Sequence, residues 1–218
     1  MADEHDRAPD PAAMRRAYER SGVDPDTLGP DPLAAFRRWF ADVAAAGLPE
    51  PNAMVVATVG DDGAPAARTV LLKGFDEDGL RFFTNTGSAK AHDLAGDPRV
   101  AVVFPWHPVS RQVRVTGTAA ALDRAAVEAY FATRPRDAQL GAWASRQSSV
   151  VASRAALDEA LERAAVQFPG EVPAPPFWGG YVVTPSTWEF WAGRVGRLHD
   201  RVRYRRTAEG WAVDRLAP

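Results

Sequence analysis

The residues best suited to chemistry in this chain are cations. Arg68, Lys73, Lys90, Arg111, Arg134, Arg136, Arg194, Arg197 and Arg201 lie on or beside apolar segments, and several are interleaved with Trp143, Trp178, Trp188 and Trp191. Cations beside aromatic rings at strand ends suit a planar, anionic ligand. The plainer alternative is the solvated outer face of amphipathic strands, where most arginines sit. Lysine usage sharpens the question. Lys73 and Lys90 are the only lysines, and every other basic position is arginine. An arginine-favouring genome explains that bias but not its two exceptions, because a compact ammonium and a planar guanidinium are not interchangeable at a tight site.

Other chemistries have little support. There is no cysteine, which removes disulfides, thiolate metal sites and a cysteine nucleophile together. The histidines at 5, 92, 107 and 199 are too scattered to suggest a metal cluster, so no metal is expected. Glycine-rich nucleotide loops, a G-x-S-x-G elbow and an H-E-x-x-H pair are all missing. The formal net charge of −2 argues against a broad nucleic-acid surface. No apolar run approaches the ~18–20 residues of a membrane span, and the polar, acidic start does not resemble a signal peptide. A cytoplasmic protein with no membrane and no nucleic-acid partner is expected. The 218 residues, 46% apolar and 25% charged, suit one globular domain over 13–218 behind a disordered tip at 1–12.

The elements that must position the cations follow from periodicity and turn signals. A short helix is expected over 14–20. Asp31 caps a helix over 32–46, with Pro32 at its first position and an apolar stripe of Leu33, Phe36, Phe40 and Val43. Strands follow at 53–59, 68–75 and 80–85, separated by Asp-Gly turns. A helix from Ser88 stops at Asp97-Pro98, and strands at 99–106 and 111–122 come next. Asp123 and Ser153 cap helices through 133 and from 154 to about 168, the latter carrying Leu157, Leu161 and Ala164 or Ala165. Strands at 178–184, 187–191, 199–206 and 211–216 close the chain. The pattern predicts a mainly β, α+β protein, an antiparallel barrel or sandwich with surrounding helices.

Short motifs then recur in a characteristic order. They are M-R-R-A-Y at 14–18, R-T-V-L-L-K at 68–73, F-T-N at 83–85, S-A-K at 88–90, F-P-W at 104–106 and R-Q-V-R at 111–114. They continue with Y-F at 130–131, R-P-R at 134–136, Q-L-G-A-W-A-S at 139–145, Q-S at 147–148 and F-W-G-G at 177–180. E-F-W at 189–191, R-L-H-D-R at 197–201 and D-R-L-A-P at 214–218 complete the series. Together they resemble the pyridoxamine 5′-phosphate oxidase family over nearly the whole chain. That resemblance implies an FMN-binding split β-barrel, working as a homodimer with FMN at the interface. It implies oxidation of pyridoxamine 5′-phosphate or pyridoxine 5′-phosphate to pyridoxal 5′-phosphate, with O2 reduced to H2O2. The implied FMN contacts are Arg68, Val70, Leu71, Lys73, Phe83, Thr84, Lys90, Gln112, Gln147, Ser148, Trp191 and Arg201. The implied substrate contacts are Lys73, Tyr130, Arg134, Arg197 and His199, with Arg15 and Tyr18 closing over the pocket. Arg197 and His199 are expected nearest the chemistry.

The chain departs from the family pattern at three positions. Many members have tyrosine at Phe83, arginine at Ala89 and serine at Ala138. A lost charge-assisted hydrogen bond is worth about 1.5–3 kcal/mol. Two other functions fit parts of the pattern: a split-barrel flavoprotein acting on another substrate, and a non-catalytic pyridoxal phosphate binder. Trp143, Trp178 and Trp188 are expected to be packing residues. Arg114 and Arg136 are expected in salt bridges across the dimer, and Arg203–Arg206 on a solvated face.

Overall fold

The computed structural model describes residues 11–14, 18 and 22–218. Residues 1–10 of the expected tip, and Arg15 with most of the expected 14–20 helix, lie outside the described residues. Pro11–Ala13 forms one 3-10 turn.

Asp24 caps a short helix, α1 (Pro25–Leu28), through a reciprocal capping box with Thr27. No helix is expected between 20 and 32 from the sequence. Asp31 then accepts the Leu33 and Ala34 N–H groups and starts α2 (Pro32–Ala45). Helix α2 buries Ala35, Phe36, Trp39 and Val43 against the sheet. The Phe36 ring lies 5.0–5.9 Å from the rings of Phe40, Phe75, Phe104, Trp106 and Trp188.

The sheet is antiparallel. Its strands are β1 (Ala53–Val59), β2 (Pro65–Leu71), β3 (Gly74–Asp76), β4 (Gly79–Asn85), β5 (Arg99–Phe104), β6 (Arg111–Ala121), β7 (Trp178–Ala192), β8 (Asp200–Thr207) and β9 (Gly210–Leu216). They run in the order β2-β1-β5-β6-β7-β4-β3, with β8 and β9 extending from β7. Alternation sends Met54, Val56 and Thr58 of β1 inward. The expected strand at 68–75 is split in two because the chain changes partner. Leu72 N–H still donates to Asn52 O, but Lys73 N–H donates to Arg81 O, 2.8 Å away on β4. That switch curls the sheet and carries the end of β2 to the β4 side, as in a split barrel.

Strand β7 also departs from expectation. Two strands were expected around Pro185, yet the chain runs unbroken for 15 residues. A register shift between Thr116 and Gly117 of β6 absorbs the proline, which has no N–H to donate. Glycine is required at 117, where a Cβ would lie 2.1 Å from Thr184 O.

The remaining helices are α3 (Ala89–Gly96), α4 (Arg124–Ala132), α5 (Arg136–Ala144) and α6 (Arg154–Gln167). Helix α5 was not expected. Phe131, Leu140, Ala142, Ala164 and Val172 form a second small core, with Trp143, Phe168 and Trp178 packed on it. Arg136 donates to the Phe168 and Gly170 carbonyls beyond α6, which gives it a role within the subunit. Only Ala164 of the α6 stripe is buried, and Leu161 is exposed. Arg205 and Arg206 are exposed, as expected of a solvated face, while Arg203 and Arg205 also pair with Asp214 and Arg206 stacks over Trp211. Among the described residues, no helix is long and apolar enough to cross a membrane.

Phe36→Ala should cost about 3–5 kcal/mol in an equilibrium denaturation, since it empties the centre of the aromatic cluster. A loss below about 1 kcal/mol would show that α2 is not pinned through this ring.

Candidate active site

Turn and helix geometry at the end of β4 bury a lysine. Lys90 is the second residue of α3 and is 6% exposed. Its Nζ donates to Thr84 Oγ1 (3.0 Å), Ser88 Oγ (3.2 Å) and Gln147 Oε1 (3.0 Å). Burial, then the Arg68 charge, lowers the Lys90 pKa from its ordinary value, and Asp93 partly opposes them.

Arg68 on β2 is held in a closed ring of bonds. Its Nη1 donates to Thr58 Oγ1 (2.6 Å), Thr58 donates to Asp93 Oδ2 (2.5 Å), and Arg68 Nη2 pairs with the same oxygen at 3.4 Å. Sequence reasoning missed Thr58 and Asp93 here. The one available signal was a carboxylate three residues beyond Lys90 on a helix. Ser148, at φ +71°, accepts the Ala89 N–H through Oγ at 3.2 Å and so ties the 145–153 loop to the first turn of α3.

The opposite wall is aromatic. Tyr130 stacks on Phe83 with centroids 3.8 Å apart and planes 12° from parallel. Gly180 pairs with Phe83, and a Cβ at 180 would lie 2.7 Å from that ring. The Arg134 guanidinium lies 4.2 Å over Trp178 and 5.5 Å from the Phe131 ring. Burial lowers the Arg134 pKa and raises that of Tyr130. Arg134 Nη1 and Trp178 Nε1 are both buried without a hydrogen-bond partner. Trp178, expected to be packing alone, is therefore also a platform for a site cation.

These groups face one cavity of about 840 Å³. Arg68, Val70, Leu71, Lys73, Phe83, Thr84, Lys90, Tyr130, Arg134, Gln147 and Ser148 all line it, as do Ala89 and Ala138.

The other expected residues gather elsewhere. Gln112, Trp191 and Arg201 stand in one cross-strand row on β6, β7 and β8. Glu189 grips Arg201 through both oxygens at 3.0 and 3.2 Å, and Arg201 also donates to Ala217 O at 2.9 Å. That carboxylate raises the Arg201 pKa. Arg114 joins Glu189 at 3.5 Å, an ion pair within the subunit. The His199 ring lies 4.7 Å from Trp191 and 5.2 Å from Tyr18. His199 Nδ1 accepts the Arg194 N–H at 3.1 Å, so the neutral ring carries its proton on Nε2. Arg197 is exposed, at φ +62° in the turn Val195–Arg197.

Neither Trp191 nor His199 lines the large cavity. Gly180, at the Phe83 wall, and Trp191 are eleven residues apart on β7, about 36 Å of extended chain. The structure thus brings the expected residues into two clusters at opposite ends of one strand.

Residues 40–168 match the family model described as pyridoxamine 5′-phosphate oxidase, and residues 178–218 match the pyridoxine 5′-phosphate oxidase C-terminal dimerisation region. The chain belongs to the pyridoxamine 5′-phosphate oxidase family. It is 58% identical over 209 residues to a pyridoxine/pyridoxamine 5′-phosphate oxidase of Nocardioides sp., covering 96% of this chain and 98% of that one. It is 53% identical over 210 residues to the enzyme of that name from Rubrobacter xylanophilus, covering 96% and 97%. Among solved structures it resembles PhzG from Burkholderia lata 383, crystallised with tetrahydrophenazine-1-carboxylic acid. That match has a TM-score of 0.84 and 28% identity, covering 88% of this chain and 95% of that one. A related FMN-binding protein from Nostoc punctiforme shares the fold, with a TM-score of 0.68 and 22% identity over 84% and 97% of the two chains. Membership of this family makes the protein a flavoprotein oxidoreductase, and its C-terminal segment matches the family's dimerisation region.

With only two lysines in the chain, the Lys90 titration can be followed by NMR of labelled lysine side chains. Its midpoint should fall below the ordinary lysine value and rise towards it in Arg68→Ala. An ordinary midpoint in the native protein would contradict the burial described here.

Proposed function

We propose that this protein is an FMN-dependent oxidase that converts pyridoxamine 5′-phosphate or pyridoxine 5′-phosphate to pyridoxal 5′-phosphate. The observation that carries this reading is the placement of four cations, Arg68, Lys73, Lys90 and Arg134, around one aromatic-walled cavity. A phosphorylated cofactor and a phosphorylated substrate together need several cations in one place.

The residues present fit that pair of ligands. Lys90 and Arg68 would hold the cofactor phosphate. Gln147 and Thr84 have the donors and acceptors to meet its polar edges, beside Val70, Leu71, Phe83 and Ser148. Tyr130, Arg134 and Lys73 would take the substrate phosphate, and the unpartnered Arg134 Nη1 shows donor capacity that the protein itself leaves unused. Ala89 and Ala138 line the same wall and contribute no side-chain hydrogen bond, so binding falls more heavily on these cations.

Gln112, Trp191, Arg201, Arg197 and His199, with Tyr18 and Arg15, would complete the site from the other subunit. The separation of the two clusters along β7 supports this, as does the match of 178–218 to a dimerisation region. FMN held by these residues would supply a two-electron hydride acceptor that O2 reoxidises to give H2O2; with the amine substrate, water would then release ammonia to leave the aldehyde. The chain's part is to orient the substrate ring, exclude water and present Arg197 and His199 beside the reacting carbon. His199, with Nδ1 tied to the Arg194 N–H, directs Nε2 as a donor, and Arg197 supplies a fixed positive charge. A split-barrel flavoprotein for another substrate would leave the Tyr130–Arg134 wall without its use; a non-catalytic pyridoxal phosphate binder would use that wall and would differ by holding the aldehyde without FMN.

Anaerobic addition of pyridoxamine 5′-phosphate to the FMN-loaded protein should bleach the visible flavin band, with recovery in air and release of pyridoxal 5′-phosphate. A bound flavin that stays oxidised would overturn the proposed substrate.

Lys90→Gln should weaken FMN about ten- to a hundredfold in a fluorescence-quenching titration, the cost of one charge-assisted hydrogen bond. Unchanged affinity would remove Lys90 from the cofactor site.

A further inference from the structure

Asp200 follows His199 directly and is 9% exposed. Three donors converge on its carboxylate. Val23 N–H and Arg194 Nε reach Oδ2 at 2.9 and 2.6 Å, and Arg215 reaches Oδ1 at 2.9 Å. These donors come from three different parts of the chain: the N-terminal segment, the turn after β7, and β9. Burial pushes the Asp200 carboxyl up, but the Arg194 bond, the Val23 N–H and the two arginine charges bring it below the ordinary carboxylate range.

The neighbouring geometry is tight. A Cβ at Gly22 would lie 1.7 Å from Asp200 Oδ2 and 2.1 Å from Arg194 Nε, so the segment approaches the ion pair as bare backbone. A Cβ at Gly193 would lie 2.4 Å from the Tyr18 ring, which therefore rests directly on the main chain beside Arg194. Arg194 has two tasks here. Its side chain holds Asp200, and its main-chain N–H holds His199 Nδ1.

We propose that Asp200 is a positioning residue: through Arg194 it fixes the orientation and tautomer of His199, and through Val23 it sets where the N-terminal segment lays Tyr18 against the same ring. The proposal deepens the oxidase reading and rests on it for its kinetic part. Its tautomer part stands on the fold alone. A carboxylate with one arginine could hold either element. The convergence of both on one oxygen couples them, so loosening the N-terminal segment and loosening His199 become the same event.

The test is Asp200→Asn, which keeps the size and removes the charge. Two properties are read in the folded protein. The first is the His199 tautomer, from nitrogen-15 histidine spectra, which are tractable with four histidines in the chain. In spectra recorded with the ring deprotonated, the native protein should show the Nε2–H tautomer of His199 alone, and D200N should show a mixture of the two tautomers. The second is steady-state kinetics, where kcat/KM for the pyridoxamine phosphate substrate should fall at least about tenfold, mostly through KM, a typical effect of losing an orienting partner. A folded D200N with native His199 tautomer and native KM would overturn the proposal. If D200N does not fold, Arg194→Met carries the test. That side chain is half exposed, and the variant removes the bond to Asp200 while keeping the main-chain N–H. It should move both readouts the same way, and native values would again overturn the proposal. If the native protein shows no turnover, the oxidase reading fails, and the tautomer comparison still decides the structural claim.

Discussion

Strand β7 is the constraint on which the rest depends. It pairs with β6 along nearly its whole length but changes its other neighbour midway, from β4 at its start to β8 at its end. The first half backs the cavity wall at Phe83, and the second half carries Trp191 beside Gln112 and Arg201. Because the strand is continuous, the two clusters are held a fixed distance apart. Pro185 and Gly117 allow this: one leaves the ladder without a donor, and the other admits the displaced backbone. Neither Trp191 nor His199 lines the cavity that the first half backs.

Electrostatics divide the site cations into two kinds. Arg68, Arg201 and Arg194 each have a carboxylate partner in Asp93, Glu189 and Asp200. These pairs fix geometry without ligand, since a guanidinium held by a fork of acceptors has few orientations left. Lys90 and Arg134 have no such ion pair among the described residues. One is surrounded by neutral oxygens and the other lies on an aromatic face. Burying a cation without a counter-charge is costly, and an anionic ligand would offset that cost.

Much of this was legible in the sequence. The scarcity of lysine singled out Lys73 and Lys90, and both line the cavity. Alternation and Asp-Gly turns located β1 and β4 closely, because each has one buried face and a sharp end. Asp31, Asp123 and Ser153 were readable as caps because their side chains do accept the first-turn N–H groups. Other features were hidden by non-local causes. Pro185 reads as a break, and only its partner strand shows that a bulge absorbs it. Helix α5 begins after Pro135 with a mixed sequence, and its stability comes from packing on α6. Trp178 has the composition of a core residue, and its role under Arg134 exists only in three dimensions. The two-cluster arrangement was equally invisible, because sequence order does not say which residues share a cavity.

The central claim is that one site takes its phosphate-binding half from one subunit and its Trp191–His199 half from the other. Subunit complementation tests it directly. Arg134→Ala and His199→Ala subunits would each be prepared as inactive homodimers, then mixed and reassembled. Half of the dimers should be hybrids with one intact site of two, giving roughly a quarter of native activity in a two-fold dimer. Confirmed hybrid dimers with no recovered activity would mean that both halves act within the same subunit, and would contradict the account.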